Sequence, residues 1–216
     1  MDKRQMQFTP KNIAFYLLGF ITLGFGVNTI LRSELGAGAW DTTNWALNAL
    51  MSLRFPNITL GTTSMMISVT IFAVVLFYKK QAKLLLMFVP IILVSFSIDF
   101  WDLIVFKEYL PDESELFIRS LFFIIGGLAI PLGLSLIVAS NFPAFVFDEW
   151  TIMMGEILKV TNFGLIRLGV EITGIVLALV FGFIAGIGFG QVNVGSIVMM
   201  FAIGPIMNGY LKLLGF

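Results

Sequence analysis

Long apolar runs separated by short polar clusters make up nearly the whole of this chain. Six of them reach the length of a membrane span: Asn12–Arg32, Gly61–Tyr78, Leu84–Phe106, Leu116–Ser140, Gly164–Phe189 and Val194–Leu214. About 20 mostly apolar residues, each rising about 1.5 Å, cross a hydrocarbon core roughly 30 Å thick, so each run predicts a transmembrane helix. The separators are turn formers and charges, such as Arg54-Phe55-Pro56-Asn57, Lys79 to Lys83, and Gly190-Gln191-Val192-Asn193. None is long enough for a second domain, and the chain reads as a single integral membrane domain.

Two shorter stretches break the rhythm. Leu35 to Asp41 follows the first run and Phe142 to Asp148 follows the fourth. Each opens a half-polar helical segment, from Asp41 to about Met51 and from Asp148 to about Leu158. Both segments are too short and too polar to cross. A shift of 107 positions brings the two regions into register without a gap, placing Gly19 on Gly126, Gly26 on Gly133, Asn28 on Ser135, Trp40 on Phe147 and Asp41 on Asp148. The chain therefore reads as two copies of one unit, about 12–106 and 116–214. Three spans per copy is an odd number, so the second copy must enter the membrane upside down. The predicted fold is all-α: six transmembrane helices in a 3+3 inverted-topology repeat, with a short half-polar helix after the first span and after the fourth. Asp41 and Asp148 are expected to cap those short helices at their positive ends. Two placements stay open for them: flat at the interface, or re-entrant towards the midplane, where irregular backbone needs protein or water around it.

Composition names the solvent. The chain is 58% hydrophobic and 12% charged, against about 25% charged in a soluble domain. Such a surface could not keep its apolar patches small in water, so the lipid bilayer is the first partner. A net charge of zero argues against nucleic acid. With no Cys and no His, thiolate nucleophiles, Cys/His zinc sites and a histidine base are excluded. The Gly186-Ile187-Gly188-Phe189-Gly190 run lacks the preceding strand and following Lys-Ser/Thr of a phosphate loop and reads as a turn. No cofactor and no enzymatic activity are expected. Gly182, Gly186 and Gly190 also have the spacing of a helix-packing seam on the fifth span, and Gly126, Gly127 and Gly133 thin the fourth. The first run is too long for a signal-peptide core and should remain as a span.

Lys and Arg set the orientation. With the N-terminus inside, Lys3, Arg4, Lys11, Lys79, Lys80, Lys83, Lys159, Arg167 and Lys212 are cytoplasmic, while Arg32, Arg54, Lys107 and Arg119 are outside. Nine against four predicts N-in and C-in. The acidic loop Glu108–Glu115 then falls outside.

Several of these residues carry a likeness. Gly36-Ala37-Gly38-Ala39-Trp40-Asp41 after the first span, Arg167 and Glu171 in the fifth, and the closing Gly204-Pro205-Ile206 resemble the YczE/YyaS/YitT-type family of bacterial integral membrane proteins, across nearly the whole chain. In the second half Phe142-Pro143-Ala144-Phe145 departs from the Gly-rich form of that family. The resemblance implies a small six-span protein of the bacterial cytoplasmic (inner) membrane and implies no settled activity.

An ionisable residue inside a span is costly unless paired or wetted, and is a functional candidate for that reason. Arg167 and Glu171 lie one turn apart on one face of the fifth span. They are either a self-neutralising structural pair or a gated pair opened by substrate. Asp99 and Asp102, beside Trp101, read as interface markers, with a cation site as the alternative. Asp41 and Asp148 are the leading candidates because the repeat places them equivalently, with Asn44 one turn after the first and Glu149 beside the second. Asn28 adds an amide near mid-depth. The sequence thus points to a transporter or permease for an unidentified small cationic or zwitterionic solute, with proton coupling open to it. Asp41, Asp148, Arg167, Glu171, Asn28, Asn44 and Glu149 would form its binding site. The alternative is a non-transporting membrane scaffold or regulatory subunit. So short a chain is also compatible with a homodimer.

Overall fold

The computed structural model describes residues 8–107, 109–112, 115–143 and 145–216. Lys3, Arg4, Glu108 and Ala144 lie outside the described residues, as do Glu113 and Ser114 of the acidic loop. In order come α1 (Pro10–Ser33), α2 (Ala39–Ser52), α3 (Leu60–Lys79), α4 (Phe88–Asp99), α5 (Leu116–Ala139), α6 (Val146–Leu158), α7 (Phe163–Ile184) and α8 (Val194–Leu213). A tight 3-10 stretch, Ala82–Met87, leads into α4 and a wider π-type stretch, Phe100–Phe106, follows it. Counting Ala82–Phe106 as one, six helices are long and apolar enough to cross a membrane. No strand occurs among the described residues.

Local chemistry fixes the helix ends. Thr9 accepts from the Asn12 amide with Pro10 opening α1, and Thr59 accepts from the Thr62 amide at the start of α3. Asn193 and Ser196 form a reciprocal capping box on α8. Each satisfies amide donors that have no partner within the helix. The expected caps of the short helices fall elsewhere. Gly38 and Phe145 occupy the cap positions of α2 and α6 and neither offers a side-chain cap. Asp41 and Asp148 are therefore the third residues of their helices, still in the first turn, where the helix dipole favours negative charge.

α1 and α5 form the centre. They run antiparallel, because Gly19 lies against Gly133 and Ile137 while Gly126 lies against Gly26 and Ile30. A Cβ on Gly126 would sit 2.6 Å from the Ile30 nitrogen, and one on Gly133 would sit 2.7 Å from both the Gly19 oxygen and the Leu23 nitrogen. Backbones meet this closely only where side chains are missing, which is how helices gain contact when lipid supplies no hydrophobic drive. α4 packs on α1, α8 on α5, α3 on α4, α2 along α7, and α6 against both α3 and α7. The expected seam of Gly182, Gly186 and Gly190 does not form. α7 ends at Ile184, and Gly186 and Gly190 adopt φ of 78° and 53° in the turn beyond it.

The first short helix is seated beside the middle of a span. A Cβ at Gly174, midway along α7, would lie 3.2 Å from the Ala39 side chain, and the Thr43 hydroxyl donates to the Gly174 carbonyl at 2.7 Å. Further on, Trp45 reaches Gly190 in the turn after α7. α2 therefore starts level with the middle of α7 and runs outwards beside it.

Two carboxylates outside the short helices have fixed structural tasks. Asp99 accepts from the Thr59 hydroxyl at 2.7 Å and the Gly61 amide at 2.6 Å, holding the first turn of α3 onto α4. Asp102 pairs with the buried Arg32 at 2.7 Å. Arg32 also donates to the Asn28 side-chain oxygen at 2.9 Å, the Tyr109 carbonyl at 3.1 Å and the Lys107 carbonyl at 2.9 Å.

Candidate functional site

Between the helices lies a cavity of about 740 Å³, within the usual range of small-molecule sites. Its walls divide by chemistry. Leu23, Val27, Val94, Ile98, Ile130 and Leu134, from α1, α4 and α5, make an apolar half. Asp41, Asn44, Asp148, Arg167 and Glu171, from α2, α6 and α7, make a charged half. Trp40 and Phe147 stand where the first turns of α2 and α6 meet, their rings 4.7 Å apart.

One guanidinium organises the charged half. Arg167 donates from Nε to Glu171 and from Nη1 to Asp148, both at 2.9 Å. The first bond follows from i, i+4 spacing on α7. The second closes across to α6, so Arg167 ties α6 to α7. Arg167 and Asp148 are more than a third exposed, whereas the Glu171 side chain is 12% exposed. Asp41 has no hydrogen bond or ion pair among the described residues. Burial pushes its carboxyl up to about 7, and the negative charge of Glu171 acts in the same direction. Three carboxylates and one guanidinium thus line this half of the cavity, and two of the three are paired with it.

Two polar atoms beside Asp41 lack partners. Asn44 is 4% exposed. Its Nδ2 donates to the Leu60 carbonyl at 3.1 Å, which leaves Oδ1 buried without a donor. The Trp40 indole Nε1 is likewise buried and unpaired. Buried polar groups are ordinarily hydrogen-bonded, and a stranded acceptor or donor costs about 1–3 kcal/mol. Both atoms are sealed from the cavity space by their neighbours, so they are a cost of the packing around Asp41 rather than contacts offered to a guest.

Of the seven residues anticipated from sequence, Asp41, Asn44, Asp148, Arg167 and Glu171 come together around the cavity. Asn28 and Glu149 lie away from it. Asn28 is fully buried between α1 and α4, donating to the Gly24 and Ile98 carbonyls at 3.0 Å and accepting from Arg32. Glu149 pairs with Lys79 at 2.6 Å and fastens α6 to the end of α3. Sequence reasoning passed over the amide of Asn208 in α8, which also lines the cavity. A polar side chain in an otherwise apolar span was the available signal for Asn208. Among the described residues no cluster of His, Cys, Asp and Glu could hold a metal ion.

No curated protein and no solved structure matches the chain. A family model does, over residues 10–212. That match takes in all eight helices except the last residue of α8, and the chain belongs to the family it describes, a family of unknown function (DUF6198).

Proposed function

We propose that this protein is a small permease whose solute site is the cavity between two inverted halves. The observation that carries this reading is the cavity itself, with three carboxylates and one guanidinium in its wall. Formal negative charge in a low-dielectric space selects a cationic or zwitterionic guest.

The inverted repeat is supported by details that recur at the 107-residue offset. Ser33 and Ser140 each bond back to the carbonyl three residues before and accept from the amide two residues after. Glu34 and Asn141, the next residues, take φ of 54° and 59°. Asn28 bridges α1 to α4, and Ser135, its counterpart, bridges α5 to α8, although the acceptors Ile98 and Met207 do not share the offset. The antiparallel glycine seam is reciprocal, and Trp40 touches Phe147, its own counterpart. In such a protein one half rocks against the other around a central site. With the Lys and Arg bias, both termini face the cytoplasm and the protein sits in the cytoplasmic membrane of a bacterium.

Proton coupling is part of the proposal. Burial and the neighbouring Glu171 charge push the Asp41 carboxyl up to about 7, and in this proposal it exchanges a proton for a cation at neutral pH. A raised carboxyl pKa means that the charged form appears only as pH rises. Saturable cation binding is therefore expected to weaken as pH falls through about 7, and Asp41→Asn should remove that dependence.

The chain lacks cysteine, so single thiols report cleanly. Asp41→Cys and Asp148→Cys, in vesicles of known sidedness, should each react with a membrane-impermeant maleimide from one face, and a cationic solute should slow both. Thiols sealed from both faces would make the aspartates dry structural groups and end the permease reading.

A further inference from the structure

The last two spans of each half pack differently. α3 and α4 pack along each other and close one flank of the cavity, where Ser68, Val94 and Ile98 are all buried. Their counterparts α7 and α8 do not pack along their lengths, although the turn joining them spans only residues 185–193. Both helices nevertheless line the cavity. The lips between them are exposed: Phe163 is 52% and Phe201 62% exposed, and Gly204, Pro205 and Asn208 are exposed too. A Cβ on Gly204 would meet nothing within 4 Å. The cavity is thus walled off at α3/α4 and open at α7/α8, and that opening lies on a flank built of apolar spans rather than at a bundle end.

The two chemically distinct halves of the cavity say what could use such a side door. A compact hydrophilic cation would satisfy Asp41, Asp148 and Glu171 but would leave the face of Leu23, Val27, Ile130 and Leu134 against water. A purely apolar guest would leave Asp41 without a partner, since only Asp148 and Glu171 are paired with Arg167. An amphiphile meets both halves. We propose that the ligand is an amphiphilic organic cation that enters sideways from the bilayer between α7 and α8. Its charged head lies against Asp41, Asp148 and Glu171 and its apolar body along α1, α4 and α5. This rests on the permease reading and adds to it the class of substrate and the route of entry. Among the described residues, the charged groups facing that head are Asp41, Asp148, Glu171 and the cation Arg167.

The test uses the full chain in lipid nanodiscs with two radiolabelled probes, the lipophilic tetraphenylphosphonium and the hydrophilic tetramethylammonium. Tetraphenylphosphonium should bind saturably and at least about tenfold more tightly than tetramethylammonium, with Asp41→Asn losing about tenfold, as expected for one charge-assisted contact. Gly204→Trp, which has open space to occupy, should slow association severalfold while leaving tetramethylammonium unaffected. Should the tryptophan variant fail to fold, Gly204→Cys supplies the same readout. Its thiol should be labelled by a membrane-dissolved maleimide and protected by tetraphenylphosphonium. Saturable, Asp41-dependent binding of tetramethylammonium with no preference for the lipophilic probe would overturn the amphiphile and leave the permease intact. Binding of tetraphenylphosphonium at a rate indifferent to Gly204→Trp, or without protection of Gly204→Cys, would overturn lateral entry. If neither probe binds above the Asp41→Asn level, the amphiphilic cation is wrong, and the impermeant-maleimide experiment decides the permease on its own.

Discussion

Arg32→Ala is expected to be among the most damaging single changes in this protein. The guanidinium reaches Asp102, the Asn28 side chain and the Tyr109 and Lys107 carbonyls from a site where its side chain is 9% exposed. Removing one partner of a buried pair leaves the other charged and unpaired, at a cost of about 3–5 kcal/mol. The Asp102 side chain is 25% exposed, so water recovers part of that, and a loss near the lower bound of about 3 kcal/mol is expected. Two stranded carbonyls and the Asn28 oxygen add to it. Arg32→Lys should recover only part, since an ammonium cannot match the spread of a guanidinium fork. Thermal unfolding in detergent, followed by loss of the monodisperse species, reads the difference. A melting temperature unchanged by Arg32→Ala would show that the Asn28–Arg32–Asp102 group does not hold α1 to the segment after α4.

The second large effect is expected at the α1/α5 seam. Gly133→Leu would drive a side chain into the Gly19 oxygen and Leu23 nitrogen, 2.7 Å from where its Cβ must sit. Backbone cannot swing aside as a side-chain tip can. Overpacking usually costs about 1–3 kcal/mol, and the upper end or more is expected here. Gly26→Leu should do comparable harm, because its Cβ would lie 2.7 Å from the Ile130 nitrogen. Gly209→Leu is the control: it sits in α8, is exposed, and has nothing within 4 Å of its Cβ. Comparable folded yields for Gly133→Leu and Gly209→Leu would refute the seam as the element that seats the two halves.

Which features were legible in the sequence follows from the range of the forces involved. Spans are set by hydropathy summed over many residues, so their number and places could be read directly. The pairing of Arg167 with Glu171 follows from spacing on one helix. Asp148 joins them from another helix, and only the fold of the α6–α7 turn brings it within 2.9 Å. Asn28 looked like a mid-depth amide free for a ligand, yet one helical turn away Arg32 claims its oxygen. Nothing local announces that, since the arginine could as well have reached for the interface. Glu149 is drawn off in the same way by Lys79, 70 positions earlier. The glycines after α7 mimic a packing motif because the pattern ignores φ, and left-handed values at Gly186 and Gly190 end the helix before the motif can act.

The position of Asp41 has an electrical consequence. It lies two residues beyond Ala39, which abuts Gly174 midway along α7, so a cation held there would sit about half-way through the insulating layer. A full elementary charge crossing 100 mV changes energy by about 2.3 kcal/mol, and half that path gives about 1.1 kcal/mol. A change of that size is roughly sixfold in occupancy. In an energised cell the resting voltage would itself load or empty the site, and affinities measured in unpolarised vesicles would differ from those at work by that factor.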